Sequence, residues 1–139
     1  QAAAKNLTPV TLELGGKSPV IVDAEGAFAS IAPKIAIGKL FNAGQTCIAP
    51  DYALVPAPLR DAFVAAVRAG VARLYPTIAA NPDYTSIVSD RHYARLNALI
   101  DDARAKGATI MSLLPAGESA AAVPHGGRPA GAESEVGVG

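Results

Sequence analysis

The run Val20-Ile21-Val22 constrains the fold of this chain more than any other segment. All three side chains are apolar and β-branched, which favours an extended backbone, and no polar residue alternates with them. A strand that is apolar on both faces is typical of a parallel sheet covered on both sides. The glycine pair at 15–16 precedes this strand, and residues 23–26 predict a turn after it.

Other extended and helical segments flank this strand. Residues 8–14, 52–55 and 109–114 predict further strands because they are rich in Val, Leu, Ile, Thr and Tyr. Helices are predicted over the following three segments: residues 33–43, 58–74 and 89–106. Strands that alternate with helices predict an α/β fold with a mostly parallel sheet and flanking helices.

Each predicted helix has a start, a stop or an apolar face. Pro33 fits the first turn of the first helix, where it loses no intrahelical bond, and Gly44 fits its end. Ser89 or Asp90 can cap the third helix, and Gly107 can end it. The expected buried faces are, in order, Ile37, Leu40 and Phe41; Leu59, Phe63, Val67, Val71 and Leu74; and Tyr93, Leu96, Ile100 and Ala103.

The chain changes character at residue 112. Residues 112–139 are dominated by Ala, Gly and Pro and have no periodic apolar face. Such a segment cannot bury enough surface to offset its ordering entropy, so we expect disorder or a conformation imposed by neighbours. We therefore divide the chain into a folded part, residues 1–111, and an irregular C-terminal tail, residues 112–139.

Composition and chain start limit the function classes. Twelve basic and twelve acidic residues cancel, which does not favour a nucleic-acid partner, and no apolar run approaches the ~18 residues of a membrane span. A single cysteine excludes an internal disulfide and suits a reducing cytoplasm. Because the only methionine is Met111, we expect a processed product or a piece of a longer protein.

That single cysteine, Cys47, is the strongest candidate for chemistry. A lone cysteine is more often a small buried apolar residue than a nucleophile. Glu13, however, lies upstream in an apolar, glycine-flanked setting. A thiol that forms an acyl intermediate needs a base to activate the water that releases it, so the pair suggests a two-step mechanism. As a single residue, Glu13 also fits an ordinary exposed carboxylate at a strand end.

Two sequence motifs give this pair a context. Residues 7–19 read LTPVTLELGGKSP and residues 41–47 read FNAGQTC. In composition, order and spacing they resemble the two signatures of the NAD(P)-dependent aldehyde dehydrogenase superfamily. Residues 47–52, CIAPDY, and residues 75–96 are similar to the branch that includes coniferyl and fatty aldehyde dehydrogenases. The likeness extends to about residue 111, so the chain resembles part of a catalytic domain.

The resemblance implies a reaction and site residues. Cys47 attacks an aldehyde, aromatic such as coniferyl aldehyde or long-chain, to give a thiohemiacetal and then a thioester. Glu13 activates the water that releases the carboxylic acid, and Leu14 and Gly15 contact the cofactor, NAD or NADP. The resemblance further implies a homo-oligomeric parent enzyme whose cofactor domain precedes residue 1. We therefore expect the isolated chain to be inactive as a dehydrogenase.

Other roles stay open for this chain. A thiol and a base alone predict a weak esterase, and a remnant or assembly fragment would have no activity. Helix termination and loop hydrogen bonds explain Asn42 and Gln45 without catalysis. His92 and His125 have no second ligand at metal spacing, so we expect no metal site.

Overall fold

Two parallel strands, β1 (Ser18–Ile21) and β2 (Pro50–Leu54), form the sheet of the computed structural model. Val20 pairs with Ala53, and the N–H of Val22 extends the ladder by donating to the Leu54 carbonyl at 3.0 Å. Parallel strands need a crossover connection, which a helix between them supplies. This arrangement confirms the predicted α/β class with parallel strands. The two-sided cover predicted from the apolar run is wrong for this chain: Val22 is buried, but Ile21 is 73% exposed, because the helices cover only one face of the sheet.

The structure describes residues 1–23, 28–79 and 81–126. Its helices are α1 (Ala2–Lys5), α2 (Phe28–Leu40), α3 (Arg60–Leu74) and α4 (Asp90–Ala105). Short 3-10 turns occupy Phe41–Gly44, Ala57–Leu59 and Ala120–Ala122. Within the described part of the chain, no helix is both long enough and apolar enough to cross a membrane.

The core lies where α2 and α3 cover the sheet. Its buried side chains are Val22, Ala32, Ala36, Phe63, Val67 and Val71. The small residues let the two helices approach closely: a Cβ on Gly70 would lie 3.4 Å from the Ala32 carbonyl oxygen. Phe28 and Phe63 add an edge-to-face ring contact with centroids 5.9 Å apart. Much of the core is therefore a tight helix crossing.

Helix α2 differs from its prediction in start and in buried face. It begins at Phe28, so Pro33 lies in its second turn, where the proline leaves the Ala29 carbonyl without its helical donor. Ala29 is exposed, so water can take that place. Ile37 and Phe41, predicted to face inward, are 53% and 67% exposed. The helix instead turns its alanines inward, because the close crossing with α3 requires small side chains.

The later helices follow their local signals more closely. Phe63, Val67 and Val71 are buried as predicted, whereas the last residue of that stripe, Leu74, is exposed. Helix α4 begins after Ser89, whose hydroxyl accepts the His92 N–H at 3.3 Å. No residue of α4 is buried, which corrects the inward face expected there. Leu96 and Ile100 on that face are 38% and 42% exposed.

Two predicted strands are absent from the described residues. Residues 8–14 and 109–114 are not part of the sheet. A strand forms only where a neighbour accepts and donates its main-chain hydrogen bonds, and β-propensity alone supplies no neighbour. Neither residues 8–14, which are exposed throughout, nor residues 109–114 form a strand, so both predictions were wrong.

The tail packs against the body as far as residue 126. The Tyr93 hydroxyl donates to the Ala120 carbonyl at 3.1 Å, and Ile87 forms a parallel bridge with His125. The Ala79 N–H donates to the Glu118 carboxylate at 3.0 Å. The division of the chain at residue 112 stays a prediction, and residues 127–139 lie outside the described part of the chain.

The core analysis predicts unequal effects for two valines of α3. Val67 is 8% exposed within the core, whereas Val64, on the same helix, is half-buried. We expect Val67→Ala to lower the free energy of unfolding by about 1–3 kcal/mol, and Val64→Ala by less than about half as much. Urea denaturation followed by circular dichroism measures both. Equal losses would contradict the assigned core.

Candidate functional site

Cys47 follows a turn with an uncommon backbone. After α2, Asn42, Ala43 and Gly44 have φ angles of 51°, 54° and 77°, all in the left-handed region. Glycine adopts this region freely, but a residue with a side chain pays roughly 1–2 kcal/mol there. Asparagine tolerates it better than alanine does. The turn therefore needs stabilising contacts from outside its own backbone.

Asn42 and Gln45 form hydrogen bonds within the turn, and the Gln45 side chain also bonds to residues outside it. The Asn42 side-chain amide donates to the Gln45 carbonyl at 3.2 Å, and the Gln45 N–H donates to the Asn42 carbonyl at 3.0 Å. The Gln45 side chain reaches further, donating to the Ser86 carbonyl at 3.1 Å and accepting the Val88 N–H at 2.9 Å. These bonds attach the turn to a segment distant in sequence.

Cys47 itself is a free, exposed thiol in the turn between this segment and β2. The Ala49 N–H donates to the Thr46 carbonyl at 3.2 Å, which closes the turn around Cys47. Ala49 is buried and β2 begins one residue later, so the turn is anchored on both sides. The thiol therefore lies at the surface, three residues before the start of β2.

The segment of Glu13 runs beside this turn. A Cβ placed on Gly16 would overlap the carbonyl oxygen of Cys47 and lie 3.0 Å from its carbonyl carbon, so the two main chains touch. One residue on, Lys17 Nζ lies 3.0 Å from Asp51 Oδ2. Both side chains are solvent-accessible, so this ion pair contributes little stability and mainly marks the alignment. Glu13 is exposed, three residues before the contact.

The predicted cofactor contacts lie in the same segment. Leu14 is 89% exposed, and Gly15 has a φ of 124° with no atom within 4 Å of the position that a Cβ would occupy. Leu14 and the space beside Gly15 are therefore open to solvent. A side chain at Gly15 would be strained by that φ whatever the space around it. The roles of Leu14 and Gly15 in binding stay predictions, as do those of Glu13 and Cys47.

An apolar cavity of about 300 Å³ lies elsewhere, between the sheet and the helices. Its walls include Val20, Leu40, Phe63 and Leu113, whereas Cys47 and Glu13 do not line it. Tyr84 also lines it, and burial, with a smaller effect from nearby Tyr75, raises the pKa of the Tyr84 hydroxyl. The cavity borders the core and also reaches exposed residues such as Lys39 and Asp51, and it is separate from the candidate site.

Neither histidine lies in a group of described residues that could bind a metal ion. His125 Nδ1 lies 2.6 Å from Asp90 Oδ1, and its ring stacks on Tyr93 with centroids 4.0 Å apart. His92 is in the first turn of α4. Within residues 1–23, 28–79 and 81–126, no three His, Cys, Asp or Glu side chains are grouped so that they could hold a metal ion.

Sequence reasoning missed two residues of the site. In the sequence, the glycine pair at 15–16 fits either a simple turn or a backbone that approaches a ligand, whereas in the structure the missing side chain of Gly16 lets the Cys47 main chain approach. Gln45 reads as a local loop residue, but its amide reaches residues 41 and 43 positions away. For Gly16, the glycine pair near a candidate base was a usable signal. For Gln45, the neighbouring sequence contained no signal of its long-range hydrogen bonds.

Comparison with known proteins identifies the family of this arrangement. A model described as "Aldehyde dehydrogenase family" matches residues 1–124. The probable coniferyl aldehyde dehydrogenase of Caulobacter vibrioides is 52% identical over 125 residues, covering 90% of this chain and 26% of the relative. The coniferyl aldehyde dehydrogenase of a Pseudomonas species is 51% identical over 118 residues, covering 85% and 24%.

A solved structure shares the fold. It is the NADP-dependent glyceraldehyde-3-phosphate dehydrogenase of Bacillus halodurans in complex with NADP, with a TM-score of 0.65 and 32% identity. The match covers 76% of this chain and 22% of that one. This chain therefore spans about a quarter of the length of the curated relatives that it matches.

The contact between Gly16 and Cys47 predicts a position-specific effect of alanine. In Gly16→Ala the new methyl group meets main-chain atoms, which cannot rotate away, so the turn and the Glu13 segment must separate. We expect a loss of about 1–3 kcal/mol in the free energy of unfolding. Gly38→Ala is the control, because its Cβ would lie 3.4 Å from Pro50 Cδ, an ordinary contact. Similar stabilities for the two variants in urea denaturation would contradict the close approach.

Proposed function

This chain belongs to the aldehyde dehydrogenase family, and from that membership we propose that it carries the nucleophile Cys47 and the base Glu13 of an enzyme that oxidises an aldehyde to a carboxylic acid with NAD or NADP. One observation carries the proposal: the main chain of the Glu13 segment lies against that of Cys47 at Gly16. Because the chain spans about a quarter of its relatives, the complete reaction is proposed for the longer protein.

The first step belongs to Cys47. Its thiolate sulfur forms a bond to the aldehyde carbon, and the electron pair of the C=O bond moves to oxygen, which gives a thiohemiacetal. The thiol is exposed and therefore open to a substrate. We assign the Cys47 N–H as one donor to the oxygen that becomes negative. Such donors are typically worth about 3 kcal/mol each in the transition state.

The residues present fit part of a nicotinamide cofactor. When bound, the nicotinamide supplies the acceptor for the hydride that leaves the thiohemiacetal carbon. The open main chain at Leu14 and Gly15 could contact the ring, since no side chain covers it. The sequence has no G-x-G-x-x-G fingerprint for the phosphates, so the rest of the cofactor would need residues outside this chain.

Release of the product belongs to Glu13. After hydride loss the acyl group is a thioester on Cys47. The Glu13 carboxylate takes a proton from water while the water oxygen attacks the acyl carbon. The C–S bond then breaks, the carboxylic acid is released, and the proton held by Glu13 passes to the sulfur, which restores the thiol and the carboxylate. The exposure of Glu13 gives water access to it. A general base of this kind typically contributes roughly 10²–10⁴ in rate.

The substrate class is an aldehyde with an apolar body, aromatic or long-chain. Ile48, next to the thiol, is 81% exposed, and Leu12 is 72% exposed on the neighbouring segment. Apolar side chains around a nucleophile favour an apolar substrate. The names of two relatives, both coniferyl aldehyde dehydrogenases, support an aromatic aldehyde. A cytoplasmic, homo-oligomeric enzyme completes the proposal.

Two substitutions in the full-length enzyme separate the proposed steps. Cys47→Ser should abolish the formation of reduced nicotinamide. Glu13→Gln should keep one burst of reduced nicotinamide per site while steady turnover falls by roughly 10²–10⁴. Stopped-flow absorbance measures both phases. Glu118→Gln is the matched control, because its remaining oxygen can still accept the Ala79 N–H. Unchanged turnover in Glu13→Gln would remove the base from the mechanism.

The chain alone should not act as a dehydrogenase. With aldehyde and NAD or NADP, the purified 139-residue chain should form no reduced nicotinamide, because most of the cofactor site would lie elsewhere. Absorbance of the reduced cofactor measures this, with the full-length enzyme as positive control. Stoichiometric reduction by the chain would contradict the prediction. Hydrolysis of an activated aryl ester, if lost in Cys47→Ser, would instead identify the weak esterase.

A further inference from the structure

The Gln45 side chain forms the same pair of hydrogen bonds to a distant segment that a neighbouring β-strand would form. Its Nε2 donates to the Ser86 carbonyl at 3.1 Å, and its Oε1 accepts the Val88 N–H at 2.9 Å. In a parallel sheet, the N–H and the C=O of one residue bond to the two residues that flank its partner on the neighbouring strand. The side-chain amide of Gln45 thus takes the place of a parallel strand opposite Ile87.

The other edge of the same segment is also paired. The Ile87 N–H donates to the Pro124 carbonyl at 2.8 Å, and the Ile87 carbonyl accepts the Gly126 N–H at 2.9 Å. Residues 86–88 are therefore held between the main chain of residues 124–126 and the amide of Gln45. A segment bonded on both edges cannot shift along either neighbour without breaking main-chain hydrogen bonds. It is a fixed support.

The turn that this support holds would be strained without it. Asn42, Ala43 and Gly44 all have left-handed backbones, and Gln45 follows them directly. Gln45 Nε2 also donates to the Asn42 carbonyl at 3.1 Å, so the same amide joins the strained turn to the support. Cys47 is two residues further on. Left-handed residues with side chains persist only where their surroundings over-determine the backbone.

We propose that Gln45 is a positioning residue for Cys47: its side-chain amide fixes the turn to residues 86–88 and so sets where the thiol points. The proposal rests on the proposed function of Cys47 as nucleophile. A displacement of about 1 Å in a reacting group can lower a rate by 10²-fold. Gln45 touches neither substrate nor cofactor in this account, and its effect on the rate passes through the orientation of the turn.

The test uses Gln45→Ala and Gln45→Glu in the full-length enzyme, each read in two ways. Hydrogen exchange of residues 42–49 reports the order of the turn and does not depend on activity. We expect exchange there to become at least about tenfold faster in both variants. Steady-state kinetics should show kcat reduced at least about tenfold with KM for the aldehyde changed less than about threefold, because a transition-state contact is displaced.

In Gln45→Glu, lowering the pH should restore a hydrogen bond that the substitution removes. Ionised, the carboxylate still accepts the Val88 N–H but opposes the Ser86 carbonyl; protonated, it can again donate to that carbonyl. The ordinary pKa of a glutamate is about 4.3, so the carboxylate is ionised at about pH 8 and is protonated increasingly below about pH 5. Relative to wild type at the same pH, exchange of residues 42–49 should be faster at about pH 8 and should return part of the way to the wild-type rate at about pH 4. Recovery is partial because one O–H cannot replace both donor contacts of the Gln45 amide. A purely destabilised fold would not recover on acidification.

Asn81→Asp is the matched control. The Asn81 amide also bridges two main-chain groups, donating to the Thr77 carbonyl at 3.0 Å and accepting the Asp83 N–H at 2.9 Å, in a separate loop. It should leave kcat and the exchange of residues 42–49 unchanged. Folded Gln45 variants with kcat within about twofold of wild type would overturn the proposal. Residual turnover in Cys47→Ser is the separate result that refutes the nucleophile itself.

Discussion

The parallel pairing of β1 with β2 is the interaction on which the candidate site depends. The two strands follow directly on the segments that hold Glu13 and Cys47, and parallel strands begin at the same edge of a sheet. Pairing therefore brings both segments to one edge, where Gly16 meets the Cys47 main chain. Helix α2 is the crossover between the two parallel strands, and it returns the chain to the edge at which β1 begins.

The site combines a rigid main chain with exposed reactive side chains. Behind Cys47, a left-handed turn is tied by Gln45 to residues 86–88, which are themselves bonded to residues 124–126. The turn before Cys47 is therefore connected by hydrogen bonds to the C-terminal tail. Its contacts come from three parts of the sequence: Gln45, residues 86–88 and residues 124–126. Reactive groups on loops need such support, since a loop by itself does not hold a precise geometry.

Local signals in the sequence predicted the elements that depend on local physics. The apolar run at Val20, the stripe through Val67 and the cap at Ser89 each encode their own structure, and each is present in the fold. The strand predicted over residues 8–14 failed because pairing depends on a neighbour that propensity cannot reveal. The inner face of α2 was misjudged because alanine, the smaller residue, sets how closely helices cross.

In the candidate site, too, some features could be predicted from local sequence and others depend on distant contacts. The two motifs predicted the reacting residues by resemblance, whereas the glycine pair beside Glu13 did not reveal which main chain would approach it. The bonds from Gln45 to Ser86 and Val88 span more than forty residues, and nothing near position 45 in the sequence signals them. Contacts of this kind follow from the folded topology alone.

Exposure of the reactive groups explains why the chain would need more protein around it to act as an enzyme. A main-chain N–H stabilises a developing oxyanion far better in a dry site than in water, because water screens the charge. Leu14 and Ile48, which border the site, are 89% and 81% exposed here. A partner surface that covers them would gain apolar burial and would exclude water from the thiol in the same step. Covering Leu14 and Ile48 would therefore strengthen the proposed catalysis, because the developing charge would then be screened less by water.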